Sequence, residues 1–194
     1  MTFLYVGTIY GDRHFTTFFK ALSNLKLKHE SLKIKVEFCG DDVSFSRFYA
    51  EAKQYNVENF IVYLGFLMSD DLIKKELSVD SFLISSWNYK GYSDVIPGKL
   101  FEYFSFVKPI IGHISGNKPN ALVKKMIYEN GLGFCGDDLS DTDERKMEDY
   151  ISSMYNSFLD NGFVIFQGNR EYTDLFLRRK QVEKLLTTIE TKKY

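Results

Sequence analysis

The segment 94–102, DVIPGKLFE, places two acids and a lysine around the predicted start of a helix. A helix start favours Ser, Thr, Asn or Asp just before its first turn, where a side-chain oxygen caps the free N–H groups. Ile96 lies there instead, and Lys99 lies in a first turn where the helix dipole favours acids. Because Gly98 leaves the backbone uncovered, this helix end is suited to bind an anion such as a phosphate.

Two acids flank the predicted anion site. Glu102 lies four residues after Gly98, on the same helix face and about 6 Å further along the axis. Its carboxylate could accept hydrogen bonds from sugar hydroxyls next to a bound phosphate. In the alternative interpretation, Asp94 folds back to cap the helix, Lys99 is solvated and Glu102 is an ordinary surface acid. The pattern alone leaves both interpretations open.

A second cation lies near a helix start at the beginning of the chain. Residues 7–14, GTIYGDRH, connect an apolar strand to a helical pattern, with Arg13 close to the helix start. The loop has neither the G-x-G-x-x-G dinucleotide spacing nor the Walker phosphate-loop pattern. Two helix ends that carry cations, on one edge of a sheet, fit a ligand with two phosphates, and a sugar nucleotide is such a ligand.

Strands and helices alternate along the rest of the chain. Apolar strands are predicted at 3–7, 34–38, 60–64, 81–85, 109–112 and 133–135, and helices at 15–25, 45–55, 69–77, 97–106, 120–129, 144–158 and about 171–188. This alternation predicts an α/β fold with a Rossmann-like, doubly wound parallel sheet and helices on both faces. Four glycines are predicted to end strands at the ligand-binding edge: Gly7, Gly40, Gly65 and Gly112.

The composition excludes several classes of protein. The chain has 194 residues, of which 44% are hydrophobic, so it predicts one domain over residues 1–194 with a packed core. With 25 basic and 26 acidic residues, the net charge of −1 gives no reason to expect a nucleic-acid partner. No apolar run approaches the length of a membrane span and no signal peptide is recognised, so a cytoplasmic location is predicted.

The cysteines and histidines give weaker signals. Cys39 and Cys135 both lie in the pentapeptide FCGDD. A metal site of cysteines and aspartates is one interpretation, but without C-x-x-C or nearby histidine spacing the pattern favours two strand ends with buried thiols. We therefore predict no metal site. His29 is expected to be solvated, whereas His14 and His113 lie at the predicted ligand edge and could contact a phosphate or sugar.

The run IPGKLFEYFSFVKPIIG resembles the P-x-K-x-x-E-Y and K-P-I/V motif of retaining GT-B glycosyltransferases, often called family 4 or group 1. Nearly the whole chain is similar to the C-terminal half of these enzymes in the same order. YVGTIYGDRHFTTFFKAL resembles the opening strand, phosphate loop and helix, and GLGFCGDD and the final helix also fit. The resemblance implies one half of a GT-B fold, the donor-binding domain.

The resemblance also implies roles for particular residues. The family carries two acids separated by seven residues; here Asp94 would contact the donor sugar and Glu102 the ribose. Thr8 departs from the family's usual Arg, and Arg13 stands for its usual Lys. The residues implied for the diphosphate are Gly7, Thr8, Arg13, Pro97, Gly98 and Lys99, and those implied for the base are Gly65, Phe66 and Leu67. The family uses no metal or cofactor in catalysis, and the nucleotide sugar, a UDP- or GDP-sugar, is a substrate.

Members of the family have a preceding acceptor-binding domain, which has no counterpart in this sequence. The catalytic residues are expected in that domain or in a partner chain, so this chain alone is expected to be inactive. The resemblance implies hexosyl transfer in bacterial surface polysaccharide or glycoconjugate synthesis, with membrane contact only through the full-length enzyme at the inner membrane face. The alternatives are a non-catalytic nucleotide-binding or partner-docking module and half of a sugar-nucleotide epimerase.

Overall fold

Six apolar segments form one sheet in the computed structural model, which describes residues 1–29 and 31–191. The strands are β1 (Thr2–Val6), β2 (Lys35–Cys39), β3 (Ile61–Gly65), β4 (Ser81–Trp87), β5 (Ile110–Ser115) and β6 (Gly133–Asp137). Their order is β3-β2-β1-β4-β5-β6, and all neighbouring strands are parallel. The predicted doubly wound parallel sheet is confirmed.

The helices lie on both faces of this sheet. They are α1 (Thr16–Lys28), α2 (Asp42–Gln54), α3 (Ser69–Ser78), α4 (Gly98–Phe104), α5 (Leu122–Tyr128), α6 (Asp143–Asn161), α7 (Arg170–Asp174) and α8 (Arg178–Thr191), and a short 3-10 helix at Glu58–Phe60 precedes β3. Side chains of a strand alternate between the two faces. In β1, Phe3 and Tyr5 therefore join the core with α1, α2 and α6, whereas Leu4 and Val6 join the core with α4 and α5.

The strand order reverses between β1 and β4. The chain moves outward from β1 through β2 to β3, then returns to pair β4 with the other side of β1. Ligands of doubly wound sheets bind in the crevice beyond the carboxyl ends of such a strand pair. The fold therefore brings the loop after β1 and the segment between β4 and α4 to one crevice.

The predicted strand-end glycines have different environments. Gly7 follows β1 with φ 131°, and a Cβ at Gly40 would lie 2.4 Å from the Gly7 carbonyl oxygen, so two backbones approach closely there. Gly112 does not end a strand, because β5 continues to Ser115 alongside β4. A Cβ at Gly112 would lie 2.7 Å from Cys135 Sγ, so this glycine allows close packing between β5 and β6.

Several predicted helix boundaries differ from those of the structure. Helix α4 begins at Gly98 with Pro97 as its N-cap, one residue later than predicted, and it ends at Phe104 rather than at residue 106. Helix α3 begins at Ser69, as predicted, and ends at Ser78 rather than at residue 77. The predicted final helix over about 171–188 consists of two helices, α7 and α8, interrupted at residues 175–177.

Helix α8 lies on the outside of the protein. Four apolar side chains along it are exposed: Val182, Leu185, Leu186 and Ile189. Among the residues that the structure describes, no helix is long and apolar enough to cross a membrane.

Candidate functional site

A cleft lies at the reversal point between β1 and β4, with a cavity of about 180 Å³. All six residues predicted to bind a diphosphate line it: Gly7, Thr8, Arg13, Pro97, Gly98 and Lys99. The cavity is smaller than the about 300–1,000 Å³ of complete small-molecule sites. This part of the chain alone can therefore enclose only a portion of a nucleotide-sized ligand.

Arg13 is the cation best placed to meet an anion in this cleft. Its side chain packs against two aromatic rings that meet edge to face, with the guanidinium carbon 4.3 Å from the Tyr10 ring centre and 4.6 Å from that of Trp87. The residue is only 7% exposed. Its buried Nε–H has no hydrogen-bond acceptor among the described residues. Because a buried donor without an acceptor is costly, this group is suited to a ligand oxygen.

Helix α2 holds the loop that carries Arg13. Arg47 donates two hydrogen bonds to the loop, from Nη1 to the Ile9 carbonyl at 2.9 Å and from Nη2 to the Gly11 carbonyl at 2.8 Å. The Ile9 N–H donates to Ser44 Oγ at 2.8 Å. The loop backbone is therefore fixed from one side by hydrogen bonds, while Arg13 projects towards β4.

Lys99 lies across the cleft and already has two carboxylate partners. Its Nζ is 2.8 Å from Glu102 Oε2 and 3.2 Å from Oε1 of Glu76, a fully buried residue of α3. Burial raises the pKa of Glu76, against the opposing effect of the Lys99 ammonium. Part of the positive charge predicted at this helix end is therefore neutralised by the protein itself.

Glu76 is a site residue that was not predicted from the sequence. It lies four residues after Leu72, which packs against the core, so both face inward on α3. An acid at an inward helix position seldom stays buried without a partner. That spacing could have marked Glu76 as an acid that needs a cation, without identifying which cation.

The alternative interpretation of the segment 94–102 is wrong in two respects. Among the described residues no side chain caps α4, so Asp94 does not fold back onto it, and Lys99 is paired rather than solvated. The first two N–H groups of α4, those of Gly98 and Lys99, have no acceptor among the described residues. Glu102 is half-exposed but belongs to the Lys99 ion cluster.

Asp94 lies apart from the cleft cavity. It has a left-handed backbone with φ 59°, and its N–H donates to Asn88 Oδ1 at 3.1 Å. Its carboxylate lies 3.4 Å from Lys118 Nζ, and both residues line a different surface cavity. Partial desolvation acts to raise the Asp94 pKa, but hydrogen bonds from Lys118 and Ser93 lower it overall. The Asp94 carboxylate is therefore an exposed anion. Its contact with the donor sugar stays a prediction.

The residues predicted for the base lie further from the cleft. Gly65 ends β3, which is separated from β1 by β2. Phe66 is 85% exposed, and Leu67 packs against the core that contains α4 and α5. None of them lines the cavity at the reversal point. Their role stays a prediction.

A cluster of two histidines and an aspartate lies beside Arg13. His113 lies in β5, two residues before its end, and its Nε2 is 3.1 Å from Asp138 Oδ1. His14 Nε2 is 3.3 Å from both carboxylate oxygens. The Gly116 N–H donates to Asp138 Oδ2 at 2.9 Å. The predicted placement of both histidines at the ligand edge is confirmed, and the sequence did not reveal that Asp138 joins them.

The surroundings shift the pKa of each member of this cluster. Burial alone would raise the Asp138 pKa, but hydrogen bonds from His113, His14 and Gly116 hold it far below its usual range. Burial lowers the pKa of His113. Desolvation opposes the charged form of His14, yet the hydrogen bond and charge of Asp138 raise its pKa overall.

The two cysteines are not part of this cluster. Both Cys39 and Cys135 are buried free thiols, as predicted. Cys39 ends β2, but Cys135 does not end a strand, because β6 continues to Asp137. Burial raises the pKa of Cys135. The second FCGDD pentapeptide nonetheless contributes to the cluster through its last residue, Asp138.

Comparison with solved structures identifies proteins of the same fold. The lipopolysaccharide outer core galactosyltransferase WaaB aligns with a TM-score of 0.61 and 16% identity over 98% of this chain. Anabaena HepE, solved with UDP-glucose, aligns at 0.58 and 10% over 96%. The C-terminal domain of the Francisella tularensis group 1 glycosyltransferase LpcC aligns at 0.57 and 14% over 92%. No family model and no curated protein matches the sequence.

These alignments establish the architecture. The chain has the fold of a GT-B glycosyltransferase domain, which confirms the fold that the motif resemblance implied. It spans about half the length of WaaB and HepE, 49% and 48% respectively, and 86% of the LpcC C-terminal domain. The matched region therefore corresponds to one of the two halves of such an enzyme.

Proposed function

We propose that this chain is the donor-binding domain of a retaining glycosyltransferase and holds a nucleoside diphosphate-sugar in the cleft between β1 and β4. The observation that carries the proposal is Arg13, a buried guanidinium with an unpaired Nε–H in the wall of that cleft. The likeness to HepE, a protein solved with UDP-glucose, supports a nucleotide sugar as the ligand.

The proposed diphosphate lies between the loop after β1 and the start of α4. Arg13 donates hydrogen bonds to one phosphate, and the free N–H groups of Gly98 and Lys99 face the other. Arg13 suits this task because its planar fork matches phosphate oxygens. Helix α4 has only seven residues, so its dipole is the smaller contribution.

In the full-length enzyme this arrangement stabilises a leaving group. When the bond between sugar and diphosphate breaks, negative charge grows on the diphosphate, and fixed cations and N–H groups stabilise it without a metal. Glu102 accepts hydrogen bonds from the ribose, and Asp94 contacts the donor sugar. Gly65, Phe66 and Leu67 accommodate the base.

A calorimetric titration with UDP, GDP, ADP and their sugars tests the proposal. We expect UDP or GDP and their sugars to bind with one site per chain, and Arg13→Gln to weaken binding. Arg178→Gln is the matched control, because Arg178 is exposed and lies on α8. If no nucleotide binds at millimolar concentration, the donor site is refuted and a partner-docking module becomes the better description.

We further propose that transfer requires a second domain, supplied by the same polypeptide or by a partner chain. The acceptor and the catalytic residues would come from it, in the synthesis of a surface polysaccharide or glycoconjugate. The chain by itself should bind the donor without transferring its sugar. Incubation with a radiolabelled donor and a membrane extract that contains acceptors measures this transfer. Transfer by this chain alone would refute the requirement for a second domain but would leave the proposed donor binding unaffected.

A further inference from the structure

We propose that His14, His113 and Asp138 form a binding site for a divalent transition metal of the Zn²⁺ type. The three side chains come from the loop after β1, from β5 and from the segment after β6. One ligand atom from each lies within 4.8 Å of the others. Two imidazoles and one carboxylate are the ligand set of many three-residue Zn²⁺ sites, whereas Mg²⁺ and Ca²⁺ prefer oxygen ligands.

The distances within the cluster suit a shared metal ion. Asp138 Oδ1 lies 3.1 Å from His113 Nε2 and 3.3 Å from His14 Nε2. Two atoms bound to Zn²⁺ at about 2.05 Å with tetrahedral angles lie about 3.3 Å apart. The cluster therefore reproduces two edges of such a site with little movement of the side chains.

Each histidine is oriented by a threonine through its other ring nitrogen. His14 Nδ1 lies 2.9 Å from Thr16 Oγ1, and His113 Nδ1 lies 3.0 Å from Thr17 Oγ1. Metal-binding histidines typically have such a partner, which fixes the ring and the tautomer. Two adjacent residues at the start of α1 thus aim both Nε2 atoms at the same carboxylate.

The hydrogen bonds around Thr16 determine where the His14 proton lies. Thr16 Oγ1 donates to Glu51 Oε1 at 2.9 Å, because a carboxylate only accepts. The hydroxyl oxygen then accepts from His14 Nδ1–H. Nε2 of a neutral His14 consequently presents a lone pair to the Asp138 carboxylate. Two acceptors in contact need a cation between them, which either a second proton on His14 or a metal ion supplies.

The site is open on one side and closed on the other. His113 is 1% exposed at its side chain, whereas His14 and Asp138 are 31% and 34% exposed. An ion can therefore enter from the side of His14 and keep a water as its fourth ligand. Since His14 directly follows Arg13, a bound ion would also fix the backbone next to the proposed phosphate-binding guanidinium.

Equilibrium dialysis of untagged protein against Zn²⁺, followed by elemental analysis, measures this site directly. We expect one Zn²⁺ per chain, and at least about 100-fold weaker binding in each of His14→Gln, His113→Gln and Asp138→Asn. Thr16→Val should weaken binding about 10-fold. Co²⁺ should give the intense visible absorption of a tetrahedral site, and Mg²⁺ should not compete.

Controls separate this site from adventitious binding. His29→Gln and Asp141→Asn change the same residue types outside the cluster and should leave Zn²⁺ affinity unchanged. If His113→Gln fails to fold, the partly exposed His14 still provides the test. The proposal is overturned if the unmodified chain binds less than one Zn²⁺, or if His14→Gln and Asp138→Asn retain its affinity. In that case a proton on His14 Nε2 joins it to Asp138. Neither outcome depends on nucleotide binding.

Discussion

Two cations line one cleft in opposite electrostatic settings. Arg13 lies against the rings of Tyr10 and Trp87, which attract its charge but do not neutralise it. Lys99 forms ion pairs with Glu76 and Glu102. A phosphate that contacts Arg13 forms a charge-assisted hydrogen bond with an unpaired cation. A phosphate that contacts Lys99 is also repelled by the two carboxylates. We therefore assign most of the proposed anion affinity to Arg13 and a mainly structural part to Lys99.

The largest expected effect is on stability at Lys99. Replacement of Lys99 by Gln leaves Glu76 buried without its cation, which should lower the free energy of unfolding by about 3 kcal/mol. This is the lower end of the range for a broken buried pair, because Lys99 keeps 28% of its side chain exposed. Urea denaturation at neutral pH measures it. An unchanged midpoint would show that Lys99 and Glu76 are not structurally coupled.

The double variant Lys99→Gln/Glu76→Gln is the matched control and should recover most of the loss. The dependence on pH adds a second check. The folded pKa of Glu76 is raised above its ordinary 4.5, so the folded state binds the proton more tightly than the unfolded state. Stability from this group falls as pH rises through that interval. The deficit of Lys99→Gln should therefore be smaller at about pH 5 than at about pH 8.

Arg13→Gln should have the next largest effect, and on affinity rather than stability. Loss of a charged hydrogen bond to phosphate weakens nucleotide binding by about 2 kcal/mol, or about 30-fold. Arg13→Lys should recover little, because an ammonium lacks the planar fork. Calorimetry with the best-bound nucleotide measures both variants. If Arg13→Gln and the unmodified chain bind nucleotide with equal affinity, Arg13 does not contribute more to anion binding than Lys99.

Trp87→Leu tests the contact between Arg13 and the Trp87 ring. The substitution removes one ring face from Arg13 and should weaken nucleotide binding by about fivefold, since a cation–π contact contributes about 1 kcal/mol. In combination with Arg13→Gln, Trp87→Leu should cause almost no further loss of affinity, because the Trp87 ring acts through Arg13. Additive losses in this double-mutant cycle would mean that Trp87 contacts the ligand independently.

Thr8→Arg should produce the smallest change, a gain. Thr8 is exposed in the wall of the cleft, so an arginine there can reach a phosphate from solvent and strengthen binding about threefold. Thr8→Gln provides a side chain of similar length without the charge. If both variants bind equally, the gain does not come from charge.

The sequence was sufficient for the fold and for the location of the cleft. Apolar strands alternating with helices lead to a parallel sheet, and Rossmann-like strand order places the loop with Arg13 opposite Lys99. Local patterns also identified both cations. They could not identify what neutralises Lys99, because Glu76 lies 23 residues away on another helix. Long-range partners depend on packing, which no local pattern contains.

The cluster of His14, His113 and Asp138 illustrates the same limit. Each residue was visible in the sequence, but 124 positions separate His14 from Asp138, and only the sheet order joins their loops. The cap of α4 was misplaced by one residue for a local reason, since proline suits either the N-cap or the first turn. The break between α7 and α8 contains no Gly or Pro and left no signal in the sequence.

The central claim is that Arg13 receives the diphosphate of a nucleotide ligand, and an NMR titration that follows the arginine Nε–Hε signals tests it most directly. The account predicts that the Arg13 signal, assigned from its loss in Arg13→Gln, shifts on addition of UDP or GDP while the Arg178 signal stays in place. Saturable binding of nucleotide with an unmoved Arg13 signal would contradict the account and place the anion site elsewhere in the protein.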